Sequence, residues 1–357
     1  MDAILLVGGF GTRLMPLTKT RPKPLIPLAN VPFVERTLHW LRDAGIDHVI
    51  LSLHYNAEQF MEYFASRDLG LTLSFAVEDT PLGTGGAIKN CEPFLRAPRC
   101  CIVNGDIFTS LDPRRMLAAH TQARAAVSIA LYQVEDPSRF GVIETDAQGQ
   151  IQTFTEKPPR ELARSHDINA GVYIFERAIF DWFPATPCSV ERDIFPRLLA
   201  HAVPLFGYRE WPYWTDLGTP EDYLQAHRDI LTRKVRLPLS CRELSPGIWL
   251  GNGVTVADDA LLRPPVLLGH GTQVAAGATV GPGVMLGDHV CVERDARVED
   301  SVIWAGTTVA RDSVVHGCIL GGNARVHGQA YGQLCEDGGE LICTQTATNP
   351  ADLLVNR

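Results

Sequence analysis

The chain has 357 residues and a formal net charge of -9; it is 45% hydrophobic and 20% charged, with 31 glycines and 24 prolines. Its length predicts two domains, because single hydrophobic cores seldom grow beyond about 250 to 300 residues. The composition excludes a disordered or collagen-like chain, and the acidic balance argues against a general nucleic-acid binder, which would present a basic face.

The first part of the chain, to about residue 235, alternates short aliphatic runs with stretches of helical periodicity such as FVERTLHWLRDAG and AEQFMEYFASR. This alternation predicts a Rossmann-like α/β domain with a mixed, mostly parallel sheet covered on both faces. The segment GVIETDAQGQIQTF breaks the pattern, because two period-two runs flank the turn sequence DAQG, and it predicts an antiparallel ribbon. The predicted strands are Ala3–Val7, His48–Leu53, Leu71–Val77, Cys100–Asn104, Ala126–Val134 and Gly171–Phe175.

From about residue 247 the hydrophobic period changes to six. Small, turn-prone residues follow the aliphatic position in LGNG, LGHG and VGPG, as expected for a hexapeptide parallel β-helix, here expected to be left-handed. The register slips after Trp304, which predicts irregular terminal coils. The aliphatic residues in one register are Leu250, Val256, Leu262, Leu268, Val274, Val280, Leu286, Val292 and Val298. The predicted divisions are an α/β domain over 1–235, a linker over 236–247, the β-helix over 248–335 and a tail over 336–357.

The first predicted strand leads into a glycine-rich segment, GGFGTR, at residues 8–13. A Walker A loop would end in Gly-Lys-Ser or Gly-Lys-Thr, and a Rossmann fingerprint would have a third glycine where Leu14 stands, so neither applies. The following LMPLTKTRPKPLIPL contains too many prolines for a helix. We therefore predict a long extended loop, rich in backbone amides and positive charge, that meets a triphosphate under attack.

Seven motifs follow one another along the chain. They are LVGGFGTRLMPLTKTRPKP near the N-terminus, PLGTGGA at 81–87, NGD at 104–106, FGV at 140–142, EKP at 156–158, NAGVY at 169–173 and WTDLGT at 214–219. With the β-helix pattern behind them, they resemble the sugar-1-phosphate nucleotidyltransferases, or NDP-sugar pyrophosphorylases, over essentially the whole chain. Among the branches of that family, DHVILSLHY, INAGVYIF and SVERDIFP are most similar to the mannose-1-phosphate guanylyltransferases.

The resemblance implies that an oxygen of a sugar-1-phosphate attacks the α-phosphorus of a nucleoside triphosphate and releases pyrophosphate. The implied substrates are GTP and mannose-1-phosphate, the implied product is GDP-mannose, and the implied cofactor is Mg²⁺. Because a phosphate monoester is already ionised near neutral pH, catalysis reduces to positioning and charge neutralisation.

The motifs assign five charged residues to this chemistry. Asp106, at the carboxyl end of a predicted strand, and Asp216 are the implied Mg²⁺ ligands. Without the motifs, the same two residues would be interpreted as a helix N-cap and a turn residue. Arg13 and Lys23 would neutralise the triphosphate, and Lys157 would neutralise the sugar phosphate.

Further binding residues follow from positions that match the motifs of the family. A guanine base would also need an acceptor for its N–H groups, and Glu78, Asp79 or a local carbonyl is suitably placed in the sequence, although Glu78 could equally be a solvated loop residue. The implied nucleotide-binding residues are Leu6, Gly8, Gly9, Gly11, Thr12, Arg13, Lys23, Leu82, Gly83, Thr84 and Asp106. The implied sugar-phosphate-binding residues are Gly141, Glu156, Lys157, Asn169 and Gly171.

Three alternatives remain open from the residues. The enzyme could make a UDP-, dTDP- or ADP-glucose or a GDP-heptose, or the chain could be a regulatory subunit that binds an NDP-sugar without turning it over. The presence of all five charged residues favours catalysis. Acyl transfer, which some hexapeptide proteins perform, would need one of His270, His289 and His316 as its base.

The remaining expectations concern the surroundings of the chain. The nine cysteines lack paired CxxC spacing, which predicts free thiols rather than a zinc site or a disulfide framework. No segment has the pattern of a secretion signal or a membrane span, so we expect a cytoplasmic protein that contacts neither membrane nor nucleic acid. The flat sides and open end of a β-helix suggest a homo-oligomer.

Overall fold

A computed structural model of the chain describes residues 1–9, 11–54, 57–210 and 212–343. The described residues divide into two compact units. The first unit takes its residues from 1–10 and 34–216, and the second from 11–33 and 217–357. Residues 11–33, here called the signature loop, therefore group with the C-terminal repeat and not with the sheet that precedes them in the chain.

The elements up to residue 231 follow the predicted alternation of strands and helices. In chain order they are β1 (Asp2–Leu6), β2 (Pro27–Leu28), β3 (Val31–Pro32), α1 (Phe33–Asp43), β4 (His48–Leu53), α2 (Ala57–Phe64), β5 (Thr72–Val77), α3 (Gly83–Asn90), β6 (Arg99–Asn104), β7 (Ile107–Thr109), α4 (Pro113–Ala123), β8 (Val127–Gln133), β9 (Gly141–Thr145), β10 (Ile151–Glu156), β11 (Asp167–Glu176), α5 (Phe195–Ala200), β12 (Leu205–Arg209), β13 (Trp214–Asp216) and α6 (Pro220–Leu231). Short 3₁₀ helices cover Thr12–Leu14, Lys23–Leu25, Glu92–Phe94, Arg160–Leu162 and Arg177–Trp182, and a π-helix covers Val190–Ile194.

A nine-stranded mixed sheet forms the centre of the first unit. Its main order is β10-β9-β11-β6-β1-β4-β5, with β8 beside β11 and β12 beside β8. Strands β6, β1, β4 and β5 are mutually parallel, whereas β11 runs antiparallel to β6 and β8. Strands β9 and β10 form the predicted antiparallel ribbon. The predicted α/β class with a mixed, mostly parallel sheet is confirmed.

The core of the first unit lies against this sheet. Strand β4 is buried along its whole length, as its mostly aliphatic sequence HVILSL predicts for a strand covered on both faces. Tyr173 and Phe175 of β11 are fully buried and pack edge-on or tilted against Phe195 of α5. Burial of the Tyr173 ring raises the pKa of its hydroxyl well above the usual value, so Tyr173 stays neutral.

The C-terminal repeat forms a parallel β-helix, as predicted. Ile248 pairs with Val266, and Val266 pairs with Val284, so each early coil is 18 residues long, or three hexapeptides. Its strands are β14 (Arg242–Ser245), β15 (Ile248–Leu250), β16 (Thr255–Val256), β17 (Leu261–Leu262), β18 (Val266–Leu268), β19 (Gln273–Val274), β20 (Thr279–Val280), β21 (Val284–Leu286), β22 (Cys291–Val292), β23 (Arg297–Glu299), β24 (Val302–Ile303), β25 (Thr308–Val309), β26 (Val314–His316), β27 (Ile319–Leu320), β28 (Arg325–Tyr331), β29 (Leu334–Cys335) and β30 (Glu340–Cys343).

The later coils are shorter, which explains the slip in the sequence register after Trp304. Val302 pairs with Ile319, 17 positions later, and Ile319 pairs with Leu334, 15 positions later. Strand β30 pairs in parallel with β28, so the strands continue past residue 335, where the sequence analysis placed the start of a tail. Residues 344–357 of that predicted tail lie outside the described residues.

All nine cysteines lie in the described part of the chain and are free thiols, as the sequence predicts. None of the helices that the structure describes is long and apolar enough to cross a membrane.

Candidate functional site

Two aspartates lie near each other in the backbone pairing at the carboxyl end of β6. Asp106 lies in the turn between β6 and β7, and β7 pairs antiparallel with β13 so that Asp216 stands opposite Ile107. The two predicted metal ligands are therefore brought to adjacent positions of one short ribbon. Asp106 lies in this strand-to-strand turn and caps no helix, so its alternative interpretation as a helix N-cap was wrong.

Gly105 anchors the turn that carries Asp106. Its N–H donates to the carbonyl of Leu6 at the end of β1, at 2.8 Å. A Cβ at position 105 would collide with that carbonyl oxygen and would lie 2.7 Å from Val7 Cγ1. Only glycine fits between β1 and β6 here, because the two backbones approach each other too closely for any side chain.

The donor set of this ribbon suits Mg²⁺. No group of three or more His, Cys, Asp and Glu side chains with metal-binding geometry occurs among the described residues. Two carboxylates on their own would bind Zn²⁺ or Ca²⁺ poorly, but Mg²⁺ keeps several waters and is commonly held by one or two carboxylates together with substrate phosphates. Asp106 and Asp216 therefore fit the implied cofactor.

The turn at residues 82–86 is fastened to a second segment by close glycine contacts. Gly83 has a positive φ of 70°, and a Cβ there would lie 2.6 Å from the carbonyl oxygen of Cys188. The same oxygen accepts the N–H of Gly85 at 2.9 Å and that of Gly86 at 3.3 Å, which caps the start of α3. Because the Cys188 carbonyl takes these two donors, the N–H groups of Gly85 and Gly86 are not available to a phosphate group. Burial raises the pKa of the Cys188 thiol, which therefore stays protonated.

Thr84 joins the same turn to the π-helix. Its hydroxyl donates to Glu191 Oε2 at 2.7 Å and accepts the N–H of Val190 at 2.9 Å. The Ser189 hydroxyl donates to the same oxygen of Glu191 at 2.8 Å. Thr84 thus holds the predicted base-binding turn in place, and its hydroxyl is engaged by the protein itself.

Glu78 is buried and is not a solvated loop residue, and each oxygen of its carboxylate accepts a hydrogen bond from the protein. Its Oε1 accepts the Ser52 hydroxyl at 3.1 Å, and its Oε2 accepts the Leu82 N–H at 3.1 Å. Both carboxylate oxygens are used to brace the turn at residue 82 against β4. Of the acceptors considered from the sequence, the exposed Asp79 and the local carbonyls remain.

The predicted sugar-phosphate residues lie on the β9–β10 ribbon. Gly141 faces Glu156 across the ribbon, and a Cβ at Gly141 would lie 2.6 Å from Phe154 Cζ and 3.0 Å from Glu156 Oε2. Lys157 Nζ is 3.2 Å from Glu156 Oε1, and the lysine side chain is 58% exposed, so its charge is accessible to a ligand. Lys157 also has a positive φ of 49°, a conformation that non-glycine residues rarely adopt outside functional sites and turns.

Asn169 and Gly171 shape an irregularity in β11. The pairing of β11 with β8 shifts register between Asn169 and Tyr173, where Asn169 Nδ2 donates to the Tyr173 hydroxyl at 2.9 Å and Asn169 Oδ1 accepts the Gly171 N–H at 3.0 Å. Gly171 has a φ of 71°, and a Cβ there would lie 2.9 Å from both Asn104 Nδ2 and Ile107 Cγ1. The bulge therefore brings the sugar-side strand against the turn that carries Asp106.

An aromatic group that the sequence analysis did not assign connects these parts. Trp214 donates its indole N–H to the Ala170 carbonyl at 2.9 Å, stacks on Tyr132 and meets Phe140 edge-on. Phe140 in turn accepts the backbone N–H of Lys157 at 3.0 Å. Trp214 and Phe140 stood inside the WTDLGT and FGV motifs, so their motif positions were the signal that could have found them.

The signature loop in the second unit carries the two predicted triphosphate cations. Gly11 has a φ of 63°, and a Cβ there would lie 2.8 Å from Lys23 Cβ, so the glycine makes room for this buried lysine. The guanidinium of Arg13 lies against Gly218 of the WTDLGT motif, since a Cβ at Gly218 would be 2.9 Å from both of its Nη atoms. Gly218 was not among the predicted site residues, although its lack of a side chain leaves room for the guanidinium of Arg13.

The loop is folded more tightly than the extended form that we predicted. Thr12–Leu14 and Lys23–Leu25 each form one turn of 3₁₀ helix, and the Thr18 hydroxyl donates to the Gly11 carbonyl at 2.9 Å. Proline fixes φ near -65°, which suits a single 3₁₀ turn as well as an extended chain. The exclusion of an α-helix over this segment was correct.

The start of the glycine segment lies at the end of β1. Leu6 pairs with Ser52 of β4 and with Asn104 of β6. A Cβ at Gly8 would lie 3.2 Å from the backbone nitrogen of His54, whereas a Cβ at Gly9 would have no atom within 4 Å. Packing therefore explains the glycine at position 8 but not the one at position 9, where the backbone is open to a ligand.

Two family models match the chain. The model described as "Nucleotidyl transferase" matches residues 2–233, and the model described as "GMPPB C-terminal domain" matches residues 246–334.

Two curated relatives match the chain over 237 and 235 residues. A mannose-1-phosphate guanylyltransferase of Mycobacterium tuberculosis is 41% identical over 237 residues, which cover 65% of each chain. The catalytic subunit beta of mannose-1-phosphate guanylyltransferase of Xenopus tropicalis is 35% identical over 235 residues, which cover 63% of each. The chain thus covers slightly less than two thirds of the length of these relatives.

Solved structures match the fold of part of the chain. HddC from Yersinia pseudotuberculosis, solved in complex with GMP-PN, is 30% identical with a TM-score of 0.56, and the match covers 63% of this chain and 97% of HddC. A putative glucose-1-phosphate thymidylyltransferase from Bacillus anthracis is 26% identical with a TM-score of 0.59, covering 67% of this chain and 97% of that one.

Proposed function

Because the chain belongs to the nucleotidyl transferase family, we propose that it transfers a nucleotidyl group from a nucleoside triphosphate to a sugar-1-phosphate. The proposed substrates are GTP and mannose-1-phosphate, and the proposed products are GDP-mannose and pyrophosphate.

One observation carries the proposal. The β7–β13 pairing puts Asp106 beside Asp216 at the carboxyl end of β6, where parallel sheets present ligand-binding groups. The bulge at Gly171 and the indole of Trp214 then connect this pair to the strand that carries Asn169. These contacts support the proposal that the carboxylates for a metal and the residues for a sugar phosphate act in one site of the first unit.

The proposed reaction forms one bond and breaks another. An oxygen of the sugar-1-phosphate attacks the α-phosphorus, a new P–O bond forms, and the bond between the α-phosphorus and the bridging oxygen of pyrophosphate breaks. Pyrophosphate leaves with its electron pair, and no proton has to be removed from the nucleophile because the phosphate is already ionised. Mg²⁺ held by Asp106 and Asp216 would supply charge neutralisation at the phosphates.

The residues of the chain supply the remaining positioning. Arg13 and Lys23 bind and neutralise the triphosphate, and the open backbone at Gly9 lets it approach closely. Lys157, exposed and paired with Glu156, binds the phosphate of the sugar. Glu156 accepts hydrogen bonds from sugar hydroxyls, and the turn of Leu82 to Thr84 contacts the base through its backbone.

The choice of guanine and mannose is supported by the relatives. The most similar curated proteins reported above are guanylyltransferases for mannose-1-phosphate, and HddC was solved with a guanine nucleotide analogue. Within this chain, the exposed Asp79 and the carbonyls near residue 82 are the candidate acceptors for the guanine N–H groups.

The proposal extends to the setting of the enzyme. We expect a cytoplasmic homo-oligomer in which an α/β domain over residues 1–235 binds both substrates. The β-helix contributes surfaces for subunit contact; strand β14 (Arg242–Ser245), which lies within the predicted linker over residues 236–247, already pairs with β15 of the β-helix.

We expect Glu78→Gln to lower stability without changing the choice of nucleotide. The amide would present an NH₂ group to the Ser52 hydroxyl or to the Leu82 N–H, and one buried donor would lose its acceptor. The free energy of unfolding should fall by about 1 to 3 kcal/mol, measured by urea denaturation. The ratio of kcat/KM for GTP and ATP should stay at its wild-type value.

Asp79→Asn is the matched comparison, since it makes the same chemical change at the exposed neighbouring carboxylate. It should leave the free energy of unfolding unchanged. A loss of GTP preference in Glu78→Gln at unchanged stability would contradict the assignment of Glu78 as an internal brace.

A pyrophosphate-release assay tests the proposed function. With Mg²⁺ present, we expect the highest kcat/KM for GTP with mannose-1-phosphate, compared with UTP, dTTP or ATP with glucose-1-phosphate. Removal of Mg²⁺ with a chelator should abolish release, and added Mg²⁺ should restore it. Preference for another pair would keep the reaction and replace the substrates. Tight binding of GDP-mannose with no pyrophosphate release from any pair would identify a regulatory subunit.

A further inference from the structure

The signature loop is attached to the last coil of the β-helix by two ion pairs. Lys19 Nζ lies 2.9 Å from Glu336 Oε2, and Arg21 Nη2 lies 3.1 Å from Asp337 Oδ2. Glu336 and Asp337 occupy the bend between β29 and β30. Both contacts join residues more than three hundred positions apart in the chain, and all four residues belong to the second unit.

Arg21 has a second partner in the β-helix. Its guanidinium carbon lies 5.2 Å from the ring centroid of Trp304, which is 3% exposed, a geometry that gives a cation–π attraction. The Trp304 indole N–H donates to the Tyr223 hydroxyl of α6 at 3.1 Å, and that hydroxyl donates to the carbonyl of Pro27 in the signature loop. Trp304 therefore contacts the loop directly through Arg21 and indirectly through Tyr223.

A hydrogen bond within the β-helix fixes the carboxylate of Asp337, which is the acceptor of Arg21. Asp337 Oδ1 accepts the backbone N–H of Gly322 at 2.6 Å, which leaves Oδ2 for Arg21. At the far end of the loop, Asn30 Nδ2 donates to the carbonyl of Leu286 at 2.8 Å. The loop is thus tied to the β-helix near its middle and near its end.

The attached segment is the one that carries Arg13 and Lys23. Between Gly11 and Ile26 the loop has single 3₁₀ turns and no strand pairing, and its own backbone hydrogen bonds, such as those from Leu14 N–H to the Gly11 carbonyl and from Lys19 N–H to the Pro16 carbonyl, are short-range and do not attach it to another element. Ordering such a segment is opposed by conformational entropy, and a ligand that bound a mobile loop would lose that free energy from its affinity.

We propose that the last coil of the β-helix is a positioning element for the nucleoside triphosphate: Asp337 and Trp304, through Arg21, hold the signature loop in the conformation in which Arg13 and Lys23 bind phosphate. This inference rests on the proposed function and gives the β-helix a role beyond subunit assembly. Arg21 acts through the loop and does not itself touch the substrate. Its pair is the stronger one, because Arg21 and Asp337 are 38% and 21% exposed while Lys19 and Glu336 are 58% and 35% exposed.

Steady-state kinetics of the full-length chain test the proposal with Arg21→Ala and Asp337→Ala. We expect the KM for GTP to rise by about tenfold in each, with kcat and the KM for mannose-1-phosphate within about twofold of wild type. The rise in the KM for GTP in the double variant should be smaller than the product of the two single rises, since both changes remove the shared Arg21–Asp337 contact. Arg21→Lys should recover part of the affinity.

Arg228→Ala is the matched control. Arg228 Nε lies 3.4 Å from Asp300 Oδ1 and joins α6 to the β-helix without contacting the signature loop. The KM of Arg228→Ala for GTP should equal that of wild type. A general loss of folding would lower kcat by reducing the active fraction and would leave both KM values unchanged, so the split between KM and kcat separates positioning from damage.

Hydrogen exchange provides a readout that needs no activity. The backbone amides of residues 12–26 should exchange faster in Arg21→Ala than in wild type and should be unaffected in Arg228→Ala. A wild-type KM for GTP in Arg21→Ala, or an equal rise in Arg228→Ala, would overturn the proposal. If wild type releases no pyrophosphate from any substrate pair, the proposed function fails on its own; unchanged loop exchange and an unchanged Kd for GTP in Arg21→Ala would then overturn the positioning role as well.

Discussion

Replacing Asp106 with asparagine is expected to lower kcat for pyrophosphate release by about a thousandfold, which corresponds to roughly 4 kcal/mol of transition-state stabilisation. The amide has nearly the same shape as the carboxylate but lacks its negative charge and offers a weaker ligand to Mg²⁺. The turn between β6 and β7 should survive, because Gly105 and the β7–β13 pairing define it. The measurement is kcat at saturating GTP, mannose-1-phosphate and Mg²⁺, together with the free energy of unfolding.

Asp181→Asn is a suitable control, because it makes the same chemical change at an exposed aspartate outside the site. Its kcat should match that of wild type. If Asp106→Asn kept more than about a tenth of the wild-type kcat, Asp106 would not be a metal ligand. Asp216 would then have to act with some other group of the first unit.

The elements that could be predicted from the sequence are those with a strong local period. Strand β4 was predicted over His48–Leu53 and occupies those residues, because a mostly aliphatic run covered on both faces is a strong local signal for a buried strand. The six-residue period predicted the β-helix for a similar reason. Each coil repeats the same pattern of short strands and turns, with Val266, Leu268 and their equivalents buried in the core.

Features that depend on contacts between distant residues could not be predicted. The grouping of the signature loop with the β-helix is one example, because nothing near Arg21 in the sequence indicates Trp304 or Asp337. The burial of Glu78 is another, since its partners Ser52 and Leu82 belong to a neighbouring strand and to a later turn. In both cases the side chain is of an ordinary surface type, and only the fold decides its environment.

The glycines illustrate the limit most clearly. From the sequence, Gly8, Gly9 and Gly11 of GGFGTR and Gly83 of PLGTGGA were predicted to bind the nucleotide. In the structure Gly83 and Gly85 make room for Cys188, and Gly11 makes room for Lys23. At Gly9, by contrast, no neighbouring atom explains why the side chain is missing, so the backbone there is open to a ligand. A missing Cβ shows that something comes close, but the sequence does not say whether it is a substrate or another part of the chain.

At Gly105, too, the close neighbour is another part of the chain, and we expect the second large effect on activity and stability from Gly105→Ala. The added methyl group would press on Val7 Cγ1 and would collide with the Leu6 carbonyl oxygen, which is part of the β1 backbone and cannot yield as a side chain could. The turn must move instead. We expect the free energy of unfolding to fall by about 1 to 3 kcal/mol. Because the shift displaces Asp106, kcat should fall by about a hundredfold, as displacements near 1 Å can cause.

Urea denaturation and steady-state kinetics with saturating substrates measure the two effects. Gly9→Ala adds the same methyl group at a position with no atom within 4 Å, so its free energy of unfolding should equal that of wild type. In the proposed mechanism Gly105 does not touch a substrate, and Gly105→Ala lowers kcat by displacing Asp106. Mn²⁺ binds carboxylates more tightly than Mg²⁺, so replacing Mg²⁺ with Mn²⁺ should partly restore the kcat of Gly105→Ala. If Gly105→Ala were as stable and as active as wild type, the close approach of β1 and the Asp106 turn would not be what holds the carboxylate in position.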